Sequence, residues 1–126
     1  MNQCRRQMKI INRDRVTPFI TKDTSEIREI LAPRNSSIQN QSLAEARVAP
    51  GQTTEGHHHV RTEEIYYILQ GRGRMWIEDE GADVQAGDGI AILPGKRHKI
   101  ENTGSTDLVF LCCCSPAYTH EDTVLT

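Results

Sequence analysis

The sequence predicts an all-β protein, a sandwich or barrel of short strands, and three observations carry this prediction. From Ser42 onward, segments rich in β-forming residues alternate with Gly, Pro, Asn and Asp breaks at intervals of about 8–12 residues. The same stretch shows no sustained helical periodicity. Because aromatic residues make up 5% of the chain, the core must come mainly from Val, Ile and Leu, which favour strands. The candidate strands are residues 43–49, 64–69, 73–77, 82–85, 89–93, 98–102 and 108–114.

The 126 residues suit one domain. Residues 1–15 are locally basic and poor in apolar side chains, which predicts a flexible tail, and residues 16–126 form the predicted domain with a barrel core at about 42–115. Residues 25–31 are compatible with a short helix capped by Ser25 or with an edge strand. Residues 117–126 are expected to extend along the surface or along a neighbouring subunit.

Charge and hydropathy exclude several classes of partner. The formal net charge is -2 and the pI is about 6.2, so no global basic field attracts nucleic acid or an anionic membrane. No apolar run approaches the roughly 20 residues of a membrane helix. The N-terminus has no apolar segment typical of a secretory signal, which predicts a cytoplasmic protein.

The four cysteines do not form a disulfide framework, since Cys112, Cys113 and Cys114 are adjacent and Cys4 stands alone. We expect reduced thiols. On an extended strand Cys112 and Cys114 share a face with Phe110, where they would be small buried hydrophobes. A thiol lining a binding pocket is the alternative for one of them.

The histidines carry the main chemical signal. In an extended segment the side chains of His57 and His59 point to one face and His58 points to the other. Two such imidazoles can hold a divalent ion with help from an acidic residue at 63 or 64 and from His98, which follows a Pro-Gly turn. Nitrogen and carboxylate donors suit Zn, Ni, Fe, Mn or Co. A solvated histidine loop is the alternative, and alternation does not choose between the two glutamates because both faces of that strand are apolar.

Two motifs in this region resemble those of the cupin superfamily. Gly51-x5-His57-x-His59-x4-Glu64-x6-Gly71 is similar to the first cupin motif. Pro94-Gly95-x2-His98-x3-Asn102, preceded by Gly87-Asp88, is similar to the second, although the family pattern places a residue between Pro and Gly. The chain is thus identified as similar to small single-domain bacterial cupins, which are often compared with the cupin part of mannose-6-phosphate isomerase.

The resemblance implies an antiparallel jelly-roll β-barrel with one divalent transition metal inside one end. It implies the ligands His57, His59, Glu64 and His98, and so selects Glu64 over Glu63. Tyr66 follows Glu64 by two residues on the same face, where it could donate a hydrogen bond to a bound ligand or pack in the core. Glu64 and Tyr66 are therefore the candidate catalytic residues.

The expected function is that of a metal-dependent isomerase, lyase or dioxygenase acting on a small oxygen-rich molecule, such as a sugar derivative or carboxylic acid. The alternative is a non-catalytic module that binds or senses a metal or a small molecule. The resemblance also implies a homodimer, in which a segment at about 16–31 could add a strand to the partner's sheet.

Overall fold

A computed structural model describes residues 8–126 and confirms the predicted jelly-roll barrel. Two antiparallel sheets pack face to face, one with the strand order β1-β2-β3-β10-β5-β8 and the other with β11-β4-β9-β6-β7. A 3-10 turn at Arg13–Arg15 precedes the strands. The strands are β1 Phe19–Ile20, β2 Glu26–Leu31, β3 Ser42–Val48, β4 His57–His59, β5 Glu63–Gln70, β6 Arg72–Ile77, β7 Glu80–Gln85, β8 Gly89–Ile92, β9 His98–Asn102, β10 Leu108–Ser115 and β11 Thr123–Leu125.

The core lies between the sheets, and period-two alternation builds it. In β5 the side chains of Glu64, Tyr66 and Ile68 are buried while the intervening residues are exposed. The six-stranded sheet adds Phe110 and the five-stranded sheet adds Ile100, and both are at most 1% exposed. Strands rich in β-branched and aromatic residues thus place their apolar face inward, as the pleat requires.

All seven strands predicted from the sequence are present, with ends shifted by at most two residues. The stretch at 25–31 is a strand, β2, and not a helix. It pairs with β3 of the same chain. The donation of this segment to a partner's sheet stays a prediction. The predicted tail at 1–15 lies partly outside the described residues, and within the described part Arg13 makes an ion pair with Glu45 on β3.

The C-terminal segment is also part of the barrel. Residues 123–125 form β11, which pairs with β4, the strand of the three histidines. The register sets Thr123 opposite His59. The expected surface extension is therefore a strand that completes the sheet beside the candidate site.

Within the described residues, no helix has the length and apolar character needed to cross a membrane.

Candidate metal centre

The structure brings the three predicted histidines together at the interior of the barrel. His57 and His59 lie on β4 and are 3% and 4% exposed, whereas His58 between them is half-buried on the opposite face. His98 on β9 pairs with His57 across the ladder and is 1% exposed. Ligand-capable atoms of the three side chains all lie within 4.8 Å of one another.

Glu64 reaches the same place from the opposite sheet. Its Oε1 lies 3.1 Å from Nε2 of His59 and 3.6 Å from Nε2 of His98. Burial raises the pKa of Glu64, but its contacts with the His59 and His98 side chains outweigh burial and lower the pKa to about 2. The carboxylate is thus ionised at neutral pH. Glu63, the alternative carboxylate, is exposed at the start of β5.

Each imidazole is held from behind through its Nδ1 atom. His57 Nδ1 lies 2.9 Å from the carbonyl oxygen of Glu55, and His98 Nδ1 lies 2.9 Å from that of Lys96. A carbonyl oxygen only accepts, so both Nδ1 atoms carry the proton and the Nε2 lone pairs point into the site. His98 Nε2 is buried, and the part of the chain that the structure describes offers it no hydrogen-bond partner, an arrangement that is costly unless a ligand binds there.

The electrostatics of the site agree with this donor set. Burial and the neighbouring His98 lower the pKa of His57, which favours the neutral imidazole that a metal requires. Three neutral imidazoles and one carboxylate are a donor set that suits divalent transition metals. The residues present therefore fit a divalent ion.

Tyr66 both packs in the core and lines the pocket, the two alternatives that the sequence left open. Its ring packs against Phe110, with centroids 4.5 Å apart, and meets His98 edge-on at 5.9 Å. The residue also lines the cavity beside the histidines. Burial and the nearby Glu64 raise the pKa of Tyr66, so its hydroxyl keeps its proton and remains a donor.

The cysteines follow the predicted alternation. Cys112 and Cys114 are buried and line the cavity, whereas Cys113 is half-buried on the other face. The thiol of Cys114 donates to Oε2 of Glu64 at 3.4 Å. Burial and the charge of Glu64 raise the pKa of Cys114, so it remains a protonated thiol and acts as a support for the carboxylate.

Two further residues lie at the site that the sequence did not predict. Asp23, in the turn between β1 and β2, places Oδ2 3.8 Å from Nε2 of His57. Thr123 places its hydroxyl 3.1 Å from Nδ1 of His59. Both are far from the histidine motifs along the chain, and only strand pairing brings them close.

The cavity beside these residues has a volume of about 40 Å³. That is room for about three water molecules, or for the chelating end of a small ligand. Its walls combine hydroxyl, carboxylate, thiol and aromatic groups from both sheets.

The fold is a jelly-roll β-barrel in which three histidines and a carboxylate converge. The Cupin domain family matches residues 44–114, which is more than half of the chain. The chain belongs to the cupin family.

Individual relatives agree with this assignment. A protein of Methanocaldococcus jannaschii, named only as uncharacterised, is 52% identical over 118 residues, covering 92% of this chain and 94% of the relative. An oxalate-binding protein of Thermotoga maritima is 34% identical over 90 residues, covering 71% of this chain and 74% of the relative. The crystal structure of a predicted oxalate decarboxylase from Thermotoga maritima superposes with a TM-score of 0.76 and 29% identity, covering 86% of this chain and 99% of that one.

Proposed function

We propose that His57, His59, Glu64 and His98 bind one divalent transition metal ion, and that the ion and the cavity bind a small oxygen-rich ligand on which the protein acts as an enzyme. The observation that carries the proposal is the buried Nε2 of His98, which has no hydrogen-bond partner among residues 8–126 and converges with the other imidazoles. Leaving such an atom unpaired costs folding free energy, and a metal ion removes that cost.

The protein's own groups would position the ion and its ligand. The carbonyl oxygens of Glu55 and Lys96 fix two imidazole orientations, and the Cys114 thiol holds one oxygen of Glu64. When bound, the ion supplies a Lewis acid that polarises a carbonyl or hydroxyl oxygen, and a redox-active ion such as iron adds dioxygen chemistry. Tyr66 lines the cavity, and its hydroxyl would donate a hydrogen bond to a ligand there.

Isomerisation or lyase chemistry on a small carboxylic acid or sugar derivative is the reaction class that this arrangement favours. It requires a polarised oxygen and proton-bearing or proton-accepting groups in a closed cavity, and the walls offer Tyr66 and Asp23. A non-catalytic binding module is the second candidate. The name of the 34% identical relative, an oxalate-binding protein, favours it.

One experiment separates the two candidates. Metal-stripped protein is reconstituted separately with Zn²⁺, Mn²⁺, Fe²⁺, Ni²⁺ or Co²⁺ and incubated with a panel of small hydroxy acids, keto acids and sugars, with product formation followed by NMR. Turnover that depends on the added ion and is abolished by a chelator supports the enzyme. Ion-dependent binding of a panel member without turnover supports the module.

A homodimer is the second part of the proposal, and the outer face of the six-stranded sheet supports it. Ile65, Tyr67 and Leu69 on β5 are 53%, 44% and 44% exposed, and Leu93 beyond β8 is 58% exposed. Tyr67 lies across the ladder from Leu111, so the apolar surface continues onto β10. Monomers rarely expose apolar patches of this kind, and a second copy of the chain would cover it.

A further inference from the structure

Asp23 is a buried carboxylate with one oxygen fixed and the other directed at the site. The residue is 9% exposed. Its Oδ1 accepts hydrogen bonds from the Thr21 hydroxyl at 2.5 Å and from the backbone N–H and hydroxyl of Ser25 at 3.0 and 2.6 Å. Its Oδ2 lies 3.8 Å from Nε2 of His57, the atom that faces the proposed ion.

The turn that carries Asp23 is tightly built. The N–H of Thr24 donates to the carbonyl of Thr21, and the N–H of Thr21 donates to the carbonyl of Ser25. Thr24 adopts a φ of 75°, a conformation that is unfavourable for a β-branched residue. Such conformations persist where surrounding contacts enforce them and cluster at functional sites. The turn therefore holds the Asp23 carboxylate in one orientation.

The charges around the cavity show what a ligand would meet there. Asp23 and Glu29 are cavity-lining carboxylates in addition to Glu64, and Glu29 is paired with Arg34. Among the lining residues that the structure describes, Lys22 is the one lysine or arginine, and its ammonium donates to the carbonyl oxygens of His120 and Thr123. Asp23 Oδ2 is thus a hydrogen-bond acceptor that faces the proposed coordination sphere.

We propose that Asp23 is a specificity-determining residue, which accepts a hydrogen bond from a protonated oxygen of the chelating ligand and so selects α-hydroxy acids or vicinal diols over dicarboxylates. The inference rests on the proposed metal site. A ligand hydroxyl donates a hydrogen bond to Oδ2 of Asp23. A ligand carboxylate in the same position has no proton to donate, and its negative charge is repelled by the Asp23 carboxylate. Asp23 would thereby define the substrate class as small molecules that chelate through oxygen and carry at least one hydroxyl.

Asp23→Asn is a suitable variant because the turn dictates how the amide is oriented. Oδ1 accepts from the backbone N–H of Ser25, so the amide oxygen occupies that position and the NH₂ group faces the cavity. The substitution therefore replaces an acceptor by a donor at constant shape. Asp83→Asn is the matched control, since Asp83 is an exposed aspartate paired with Arg74 on β6.

The test measures binding of oxalate and of glycolate to Zn²⁺-loaded wild-type, D23N and D83N proteins by isothermal titration calorimetry. Both probes chelate through adjacent oxygens, but glycolate carries a hydroxyl where oxalate carries a second carboxylate. D23N should raise the ratio of oxalate to glycolate affinity by about tenfold or more, because a charge-assisted hydrogen bond is lost for one probe and a repulsion is removed for the other. D83N should leave the ratio unchanged.

Three results would overturn the inference: an unchanged ratio in D23N, an equal change in D83N, or loss of zinc from folded D23N, which would make Asp23 a metal ligand. If D23N does not fold, the wild-type protein provides the test with methoxyacetate, which keeps the chelating oxygens of glycolate without the hydroxyl proton. Wild-type protein should prefer glycolate by about tenfold beyond the preference of free Zn²⁺, and equal preference would contradict the inference. A wild-type protein that takes up no metal would instead refute the proposed function itself.

Discussion

Thr123 supports the imidazole of His59 across the pair of strands that the C-terminal segment completes. His59 Nδ1 lies 3.1 Å from the Thr123 hydroxyl, and that hydroxyl donates its own proton to the carbonyl of Thr119 at 3.0 Å. Since the hydroxyl proton is already used, Thr123 accepts from the Nδ1 proton and leaves the Nε2 lone pair directed at the site. A residue near the end of the sequence thus sets the tautomer of a proposed metal ligand.

Replacing Thr123 by Val should weaken metal binding by roughly 10–100-fold, the usual cost of losing such a support. Thr123→Ser keeps the hydroxyl and should bind metal nearly as the wild type does. Competition with a chromogenic chelator at a fixed temperature measures both affinities. Equal weakening in the two variants would show that Thr123 acts through strand packing and not through its hydrogen bond.

The conformation of Thr24 predicts a difference between two small substitutions. Both Thr24→Gly and Thr24→Ala remove the hydroxyl, but only alanine keeps a Cβ at the φ of 75°. Thr24→Gly should therefore be more stable than Thr24→Ala by about 1 kcal/mol in urea denaturation. Equal stability would mean that the turn is not strained in solution.

The carboxylate of Asp122 ties the C-terminal segment to the loop after β4, and it predicts a pH-dependent contribution to stability. Its oxygens accept from the backbone N–H groups of Arg61 and Thr62 at 3.0 and 3.1 Å. Burial raises the pKa of Asp122, but these hydrogen bonds bring it below the usual value. A lowered pKa in the folded state means that the ionised form stabilises the fold.

Wild-type protein should accordingly be more stable than Asp122→Asn by roughly 1 kcal/mol at neutral pH. The difference should be fully present above about pH 4 and should disappear as the pH falls through the lower pKa of the folded state. Urea denaturation of both proteins from pH 7 to pH 3 measures it. A difference that stays constant over this range would assign the effect to shape instead of charge.

The apolar outer face of β5 predicts a dimer that one charge disrupts. Tyr67→Glu introduces a carboxylate into the middle of that face and should convert the dimer to monomer, or weaken it by at least about tenfold. Val60 is 56% exposed and lies outside the face, so Val60→Glu is the control that should leave the dimer intact. Sedimentation velocity distinguishes the two masses. A monomeric wild-type protein would contradict the proposed homodimer.

Local patterns in the sequence predicted an all-β sandwich or barrel and a shared face for His57 and His59, whereas the jelly roll and the full ligand set came from the resemblance to the cupin motifs. Alternation along β5 and β10 sets which side chains face inward, and the spacing of His57 and His59 places them on one face. The same reasoning did not anticipate Asp23 or Thr123. Their roles depend on pairing between strands distant in sequence, and no local pattern around either residue encodes that pairing.

The sequence of β5 did not by itself predict which face of the strand is buried. Both faces of this strand are apolar, so alternation alone could not tell which one was the core, and the choice of Glu64 came from the motif spacing. The structure gives the physical answer: Tyr66 and Ile68 face the core with Glu64, and Tyr67 faces outward. An apolar outer face is what an interface would require.

The central claim is that the buried imidazoles bind a metal ion, and metal content tests it most directly. Wild-type protein purified without an affinity tag should contain about one divalent transition metal ion per chain by plasma mass spectrometry. His98→Ala should lose the ion while circular dichroism retains the β spectrum, and His58→Ala, whose side chain lies on the other face of β4, should retain it. A wild-type protein that contains no metal and takes none up after dialysis against Zn²⁺, Fe²⁺ or Mn²⁺ would contradict the account.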